Sequence, residues 1–172
     1  MENSLNPINT IDFKNTVNIK FNNILDGFDL FENFMINGNI PNGEEKIIEF
    51  IEKIFEENID NTYIDFYINK ISDEDKDNLI NLISPNDRDT LKDLMNINHT
   101  GVYFKLVDKS LIPFFVRLNT HEVFFVTFYF SNRPITIWGN YDMKFPCFVD
   151  NDENLEYYLQ LASKLNLVLP SR

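Results

Sequence analysis

The sequence predicts an α+β fold in which acidic N-terminal helices pack on a four- to five-stranded antiparallel β-meander and a C-terminal helix closes the chain. Three observations carry this. Residues 1–100 hold 20 Asp and Glu against 8 Lys and Arg, whereas residues 101–172 hold 7 against 7, so the whole excess of 12 negative charges lies in the first part. After Gly101 the spacing of apolar residues changes from a helical period to alternation. Past Asp150 the helical period returns through Leu155, Tyr158, Leu159, Ala162 and Leu165. The 172 residues suit one domain with one core.

Residues 1–10 are polar and expected to be disordered. Residues 11–100 are expected to be mainly helical and acidic. The irregular apolar series from Ile11 to Met35 predicts one or two helices broken near Asp26-Gly27. Asn37 to Gly43 reads as a loop with two Gly and a Pro. From Glu44, Ile47, Ile48, Ile51, Ile54 and Phe55 recur at helical spacing, with Glu44 and Glu45 favoured in the first turn by the helix dipole. Thr62 to Ile68 is rich in β-formers and fits either a strand or a continuing helix. Ser72, with Asp75 three residues on, caps a helix through Leu79, Ile80, Leu82 and Ile83. Ser84-Pro85 opens a second one carrying Leu91, Leu94 and Met95.

Residues 101–149 are expected to form the sheet. The strands are Val102–Val107, Leu111–Leu118, Glu122–Ser131, Ile135–Tyr141 and Phe145–Val149, joined by short turns. Residues 150–167 form the last helix, capped at Asp150 to Asp152. Alternation puts Phe104, Leu106, Ile112, Phe114, Val116, Leu118, Phe124, Val126, Phe128 and Phe130 on one apolar face, a wall for the N-terminal helices to cover. The opposite face carries Tyr103, Lys105, Phe115, Arg117, Phe125, Thr127, Tyr129, Thr136 and Trp138, with no carboxylate. Such a mixture of aromatics and Arg resembles the core of a protein interface. The C-terminal helix is its expected cover. One helix, about 10 Å wide, leaves part of a five-stranded face open.

Composition narrows the chemistry. A net charge of -12 and a pI near 4.5 disfavour nucleic-acid backbones and anionic lipid, and favour a basic partner. Stacking of single-stranded RNA on Tyr103, Lys105, Arg117 and Trp138 is disfavoured for the same reason. The N-terminus lacks the features of a signal peptide and no apolar run would span a bilayer, which predicts a cytoplasmic protein. The single Cys147 cannot form an intramolecular disulfide. With 25 Asn, 20 Ile and one Ala, composition points to a low-GC bacterial genome.

No metal site and no cofactor are expected. His99 and His121 stand apart, with none of the paired spacings that hold zinc. Asp73 to Leu79 lacks the glycine and distal Glu of a calcium loop. A nucleophilic pair of Cys147 and His121 would need a reactive thiol, whereas the bulky neighbours of Cys147 favour an inert one. The chain has no glycine-rich phosphate loop and no nucleophile elbow.

The expectation is therefore a non-catalytic protein-binding inhibitor, an immunity protein or antitoxin that neutralises a basic, nuclease-type toxin. Glu56, Glu57, Asp60, Asp73, Glu74, Asp75 and Asp77 are the candidate electrostatic contacts, with Arg117, Tyr129 and Trp138 as anchors. The competing expectations are a structural protein that assembles with itself, as a homodimer for instance, through the aromatic face, and an enzyme built from scattered carboxylates. A deep pocket holding two acids with displaced pKa values would favour the enzyme.

Overall fold

In helix α3 (Gly43–Glu57), Ile47, Phe50, Ile51, Ile54 and Phe55 fall on one stripe, and all five are buried. The computed structural model describes residues 4–168. Within them the helices flank a seven-stranded, wholly antiparallel sheet ordered β1-β4-β3-β5-β6-β7-β2, an α+β fold with a C-terminal helix. The strands are β1 (Leu5–Pro7), β2 (Glu32–Asn37), β3 (Thr62–Asp65), β4 (Tyr103–Leu106), β5 (Thr127–Phe130), β6 (Ile135–Ile137) and β7 (Lys144–Val149).

The sheet is larger than the predicted meander, and only β5, β6 and β7 follow one another as one does. The N-terminal part supplies three strands. Residues 5–7, expected to be disordered, pair with β4 through Leu5 and Leu106, and Leu5 is buried. Strand β3 inserts between β4 and β5, and its four residues are buried because both faces of the sheet are covered there. The stretch expected to be purely helical before residue 36 instead forms α1 (Thr10–Thr16), α2 (Ile24–Leu30) and the edge strand β2. Gly27 does not break α2. It lies inside the helix, where a Cβ would run into the rings of Phe21 and Phe148, so glycine serves close approach.

The main correction concerns Leu111–Leu118, predicted as a strand. It is a turn of 3-10 helix followed by α6 (Ile112–Thr120). Asp108 caps the entry by accepting from the Ser110 amide at 2.8 Å, and Pro113 stands in the first turn, where its missing N–H costs nothing. Ile112, Phe114, Phe115, Val116, Leu118 and Asn119 are all buried, so the helix is enclosed nearly all round. An enclosed helix shows no polar face, and its apolar run imitates a strand. The next strand is also shorter than predicted. Residues 122–126 approach β5 as irregular chain, held by Asn119, whose amide side chain accepts from Val126 N at 2.8 Å and donates to its carbonyl at 3.0 Å.

Strand β7 carries Pro146 between two partners, normally an unfavourable place. The Pro146 carbonyl accepts from Trp138 N at 2.9 Å, so its backbone points towards the β6 side, one residue past the end of β6. The missing donor therefore falls opposite Trp138, beyond the last residue of β6, and interrupts no bond of that strand.

One face of the sheet presents Phe104, Ile64, Phe128, Phe130, Ile135, Ile137, Cys147 and Phe145. It is covered by α3, α5 (Arg88–Met95), α6 and α7 (Asp152–Lys164) as one continuous core. Helix α7 thus lies on this face and not on the second one, where it was expected; its Tyr158 and Ala162 join the main core. The second face is covered by the N-terminal segment. Phe13 stacks on Tyr103 at 3.7 Å, Phe21 stacks on Trp138 at 5.2 Å, and Phe28 meets Phe148 edge-on at 5.1 Å. Among the described residues no helix is long and apolar enough to cross a membrane.

Candidate functional site

The molecule carries two candidate sites, an acidic helical surface and a buried carboxylate. The acidic surface begins on α3, where six carboxylates stand against two lysines. Glu45, Glu49, Glu52 and Glu56 recur at i, i+4, i+7 and i+11, opposite the buried stripe, and so form one row along the solvent side. Helix α4 (Asp73–Leu82) adds a second cluster. Ser72 accepts from Asp75 N at 3.1 Å and its hydroxyl donates to the Asp75 carboxylate at 2.7 Å, so Asp75 is partly a capping residue.

The predicted contacts differ in how free they are. Glu56 meets Lys109 at 2.8 Å, which holds its carboxyl below the usual range. Glu57 lies 3.8 Å from Arg133 and accepts from the Tyr157 hydroxyl, while Asp60 pairs with Lys105 at 3.3 Å. Asp73 pairs with Lys76 at 3.0 Å. Glu74 and Asp77 are exposed and join no ion pair among the described residues. Glu74 and Asp77, like Glu45 and Glu52 on α3, therefore stand on the helical surface without an ion-pair partner among the described residues.

The three predicted anchors do not share a face. Tyr129 is buried beneath Phe13, 5.0 Å between ring centres, so a partner cannot reach it. Trp138 is half covered by Phe21. Arg117 sits on α6 on the other side of the sheet, where Asp87 grips it through two hydrogen bonds of 2.7 and 2.5 Å. The aromatic face proposed for RNA stacking is thus dismantled: Tyr103 lies under Phe13, and Arg117 belongs elsewhere. Nor do Cys147 and His121 form a pair. Cys147 is fully buried, its pKa pushed far up by burial, and its thiol donates to the Phe145 carbonyl at 3.6 Å. His121 lies 3.0 Å from Glu44 instead.

The second place is Asp65, in the last position of β3 and buried. One carboxylate oxygen accepts from Thr127 N at 2.7 Å and the other from the Tyr129 hydroxyl at 3.1 Å. Burial pushes the carboxyl up to about 6, against the opposing pull of these two donors, and no cation contributes. The buried carboxylate in turn raises the phenols of Tyr129, Tyr103 and Tyr67, on top of their own burial. Tyr103 and Tyr129 also line a cleft of about 200 Å³, bounded further by Phe13, Lys14, Lys20, Phe21 and Asn22. One sequence signal could have exposed the cluster: Tyr63, Asp65 and Tyr67 are a lone acid between two tyrosines at alternate positions of an apolar run.

Among the described residues no three His, Cys, Asp or Glu side chains are grouped to hold a metal ion. No family model, no curated protein and no solved structure matches the chain.

Proposed function

We propose that this chain is a non-catalytic protein-binding inhibitor, an immunity protein or antitoxin that occludes a basic, nuclease-type toxin domain in the cytoplasm. The observation that supports it best is the row of Glu45, Glu49, Glu52 and Glu56 along the solvent side of α3, with a second acidic cluster on α4. Such a surface draws a cationic protein in by long-range attraction and presents carboxylates where that protein would bind phosphates.

The test is co-expression with the product of the adjacent gene, followed by affinity capture at low ionic strength and measurement of association rates. A basic toxin domain should be retained, with an on-rate that falls steeply as salt is added. Glu74→Lys with Asp77→Lys should slow association about tenfold and change dissociation little, because these acids steer more than they seal. Unchanged on-rates in that variant, or no complex at low salt, would remove the basis of the proposal.

A further inference from the structure

The two outer strands of the sheet are unlike. Strand β1 is three residues long and ends in Pro7, which cannot donate along an edge, so it is blunted against pairing. Strand β2, Glu32–Asn37, is six residues long, contains no proline and carries one charge, Glu32. Natural sheets rarely leave such an edge unguarded unless something pairs with it.

The backbone shows which groups are open. Gly38 N donates to Met143 O at 2.8 Å, towards the β7 side, whereas Asn37 N donates to Leu167 O at 2.7 Å, away from it. Backbone groups alternate sides along an antiparallel strand, so Ile36, Phe34 and Glu32 face β7, and Met35 and Asn33 face outward. Leu167 occupies the outer side only at Asn37. Among the described residues the amides and carbonyls of Asn33 and Met35 have no partner across that edge. Beside them is an exposed apolar group: Met35 is 40% exposed, Phe28 40%, Leu25 64% and Leu30 70%. Phe28 packs on Phe148 of β7, the residue paired with Asn33 of β2.

We infer that β2 is a dimerisation edge, pairing antiparallel with β2 of a second copy of this chain. The register follows from the open groups. Outward residues must meet outward residues, and the one register that pairs both open positions of each copy sets Asn33 against Met35 of the second copy and Met35 against its Asn33, each pair exchanging an N–H and a C=O. Phe34 then lies on the two-fold axis opposite its own copy, in the closely spaced arrangement that suits aromatic contact. Glu32 falls opposite Ile36, so no two carboxylates meet. The strand is thus self-complementary in hydrogen bonding and in charge, whereas a cationic partner would find one acid on this edge. Helix α2 of each copy would bring Leu25, Phe28 and Leu30 alongside the seam.

Each copy carries a net charge of -12, so long-range repulsion opposes the pairing and salt should relieve it. This separates the homodimer from a toxin complex, which salt weakens. The experiment is sedimentation equilibrium of the full chain at about 1 mM protein, a concentration at which even weak association is populated, with and without added salt. A mass rising from 20.4 kDa towards twice that value, more so in salt, is the expected result.

Two variants locate the seam. Met35→Lys places like charges beside it, and Asn33→Pro removes an outward N–H without costing a bond to β7. Both should sediment as monomers with native circular dichroism. A wild-type mass that stays at 20.4 kDa in salt, or dimers that survive both substitutions, would overturn the inference. So would a toxin complex that Met35→Lys abolishes while the mass of the free chain is unchanged, since the edge would then belong to a different partner.

Discussion

Tyr129 donates its hydroxyl proton to Asp65 across 3.1 Å, on neighbouring strands and beneath the ring of Phe13. The carboxyl is buried and lacks a cation, which favours its neutral form against the opposing pull of its two donors.

The consequence is a pH dependence of unusual sign for an aspartate. Its folded pKa of about 6 lies above the ordinary value of 3.8, so the native state binds the proton more tightly than the unfolded chain. Stability from this group is complete below 3.8 and is lost as pH rises through about 6. Asp65→Asn should keep both contacts, its carbonyl accepting from Thr127 N and its amide donating to the Tyr129 oxygen. The variant should therefore be more stable than wild type by about 1 to 3 kcal/mol above about pH 7. Below about pH 4 the two should be nearly equal. Urea denaturation of both proteins across this range measures it; a gap that does not change with pH would mean that Asp65 is equally charged in both states.

Arg117 and Asp87 make the second prediction. Their two-pronged pair joins α6 to the turn before α5, with the Asp87 side chain 8% exposed and that of Arg117 30% exposed. Arg117→Ala leaves a carboxylate out of water and unpaired, which costs about 3 to 5 kcal/mol at a fully buried site and about 2 kcal/mol with the guanidinium partly solvated. Arg117→Lys keeps the charge but loses the fork, so it should recover only part of that loss. Chemical denaturation of the two variants gives the comparison. If Arg117→Ala costs less than about 0.5 kcal/mol, the pair is ornamental.

How far the sequence could be read follows from what covers each element. Helices α3 and α4 were legible because one side of each meets water, so apolar and charged residues separate at a helical period. Helix α6 was not, because its environment is apolar on nearly every side and its residues carry no contrast. The strands from the N-terminal part were hidden for another reason. Leu5–Pro7 and Glu32–Asn37 are made by partners about 100 residues away, β4 and β7, and nothing local in either segment specifies that pairing. Within the candidate site, the acids of α3 and α4 stood out as charge patterns, but their neutralisation by Lys105, Lys109 and Arg133 depends on the tertiary fold. Alternation assigns Tyr129 to the second face, where its position suits an anchor. That assignment holds, yet alternation is silent about Phe13 lying over the face.

Phe13 therefore offers the decisive test of how the second face is built. It packs with Val17, Tyr63 and Tyr129 in a small cluster separate from the main core, and it closes one side of the cleft lined by Tyr129, the phenol that donates to Asp65. Phe13→Ala removes a large buried ring, a change that typically costs about 3 to 5 kcal/mol. Because α1 is only seven residues long and its Phe13 is its sole buried residue, the loss should fall on docking of the N-terminal segment before it reaches the sheet. Amide exchange should then quicken at residues 10–16 while α3 and β5 stay protected. Water admitted above the carboxyl would lower the pKa of Asp65 from about 6 towards 3.8, flattening the pH dependence described above. Carboxyl NMR titration of the folded variant reads this directly. If Asp65 still titrates near 6 after Phe13 is removed, its environment is set by the strands alone and the ring over Tyr129 is packing without electrostatic consequence.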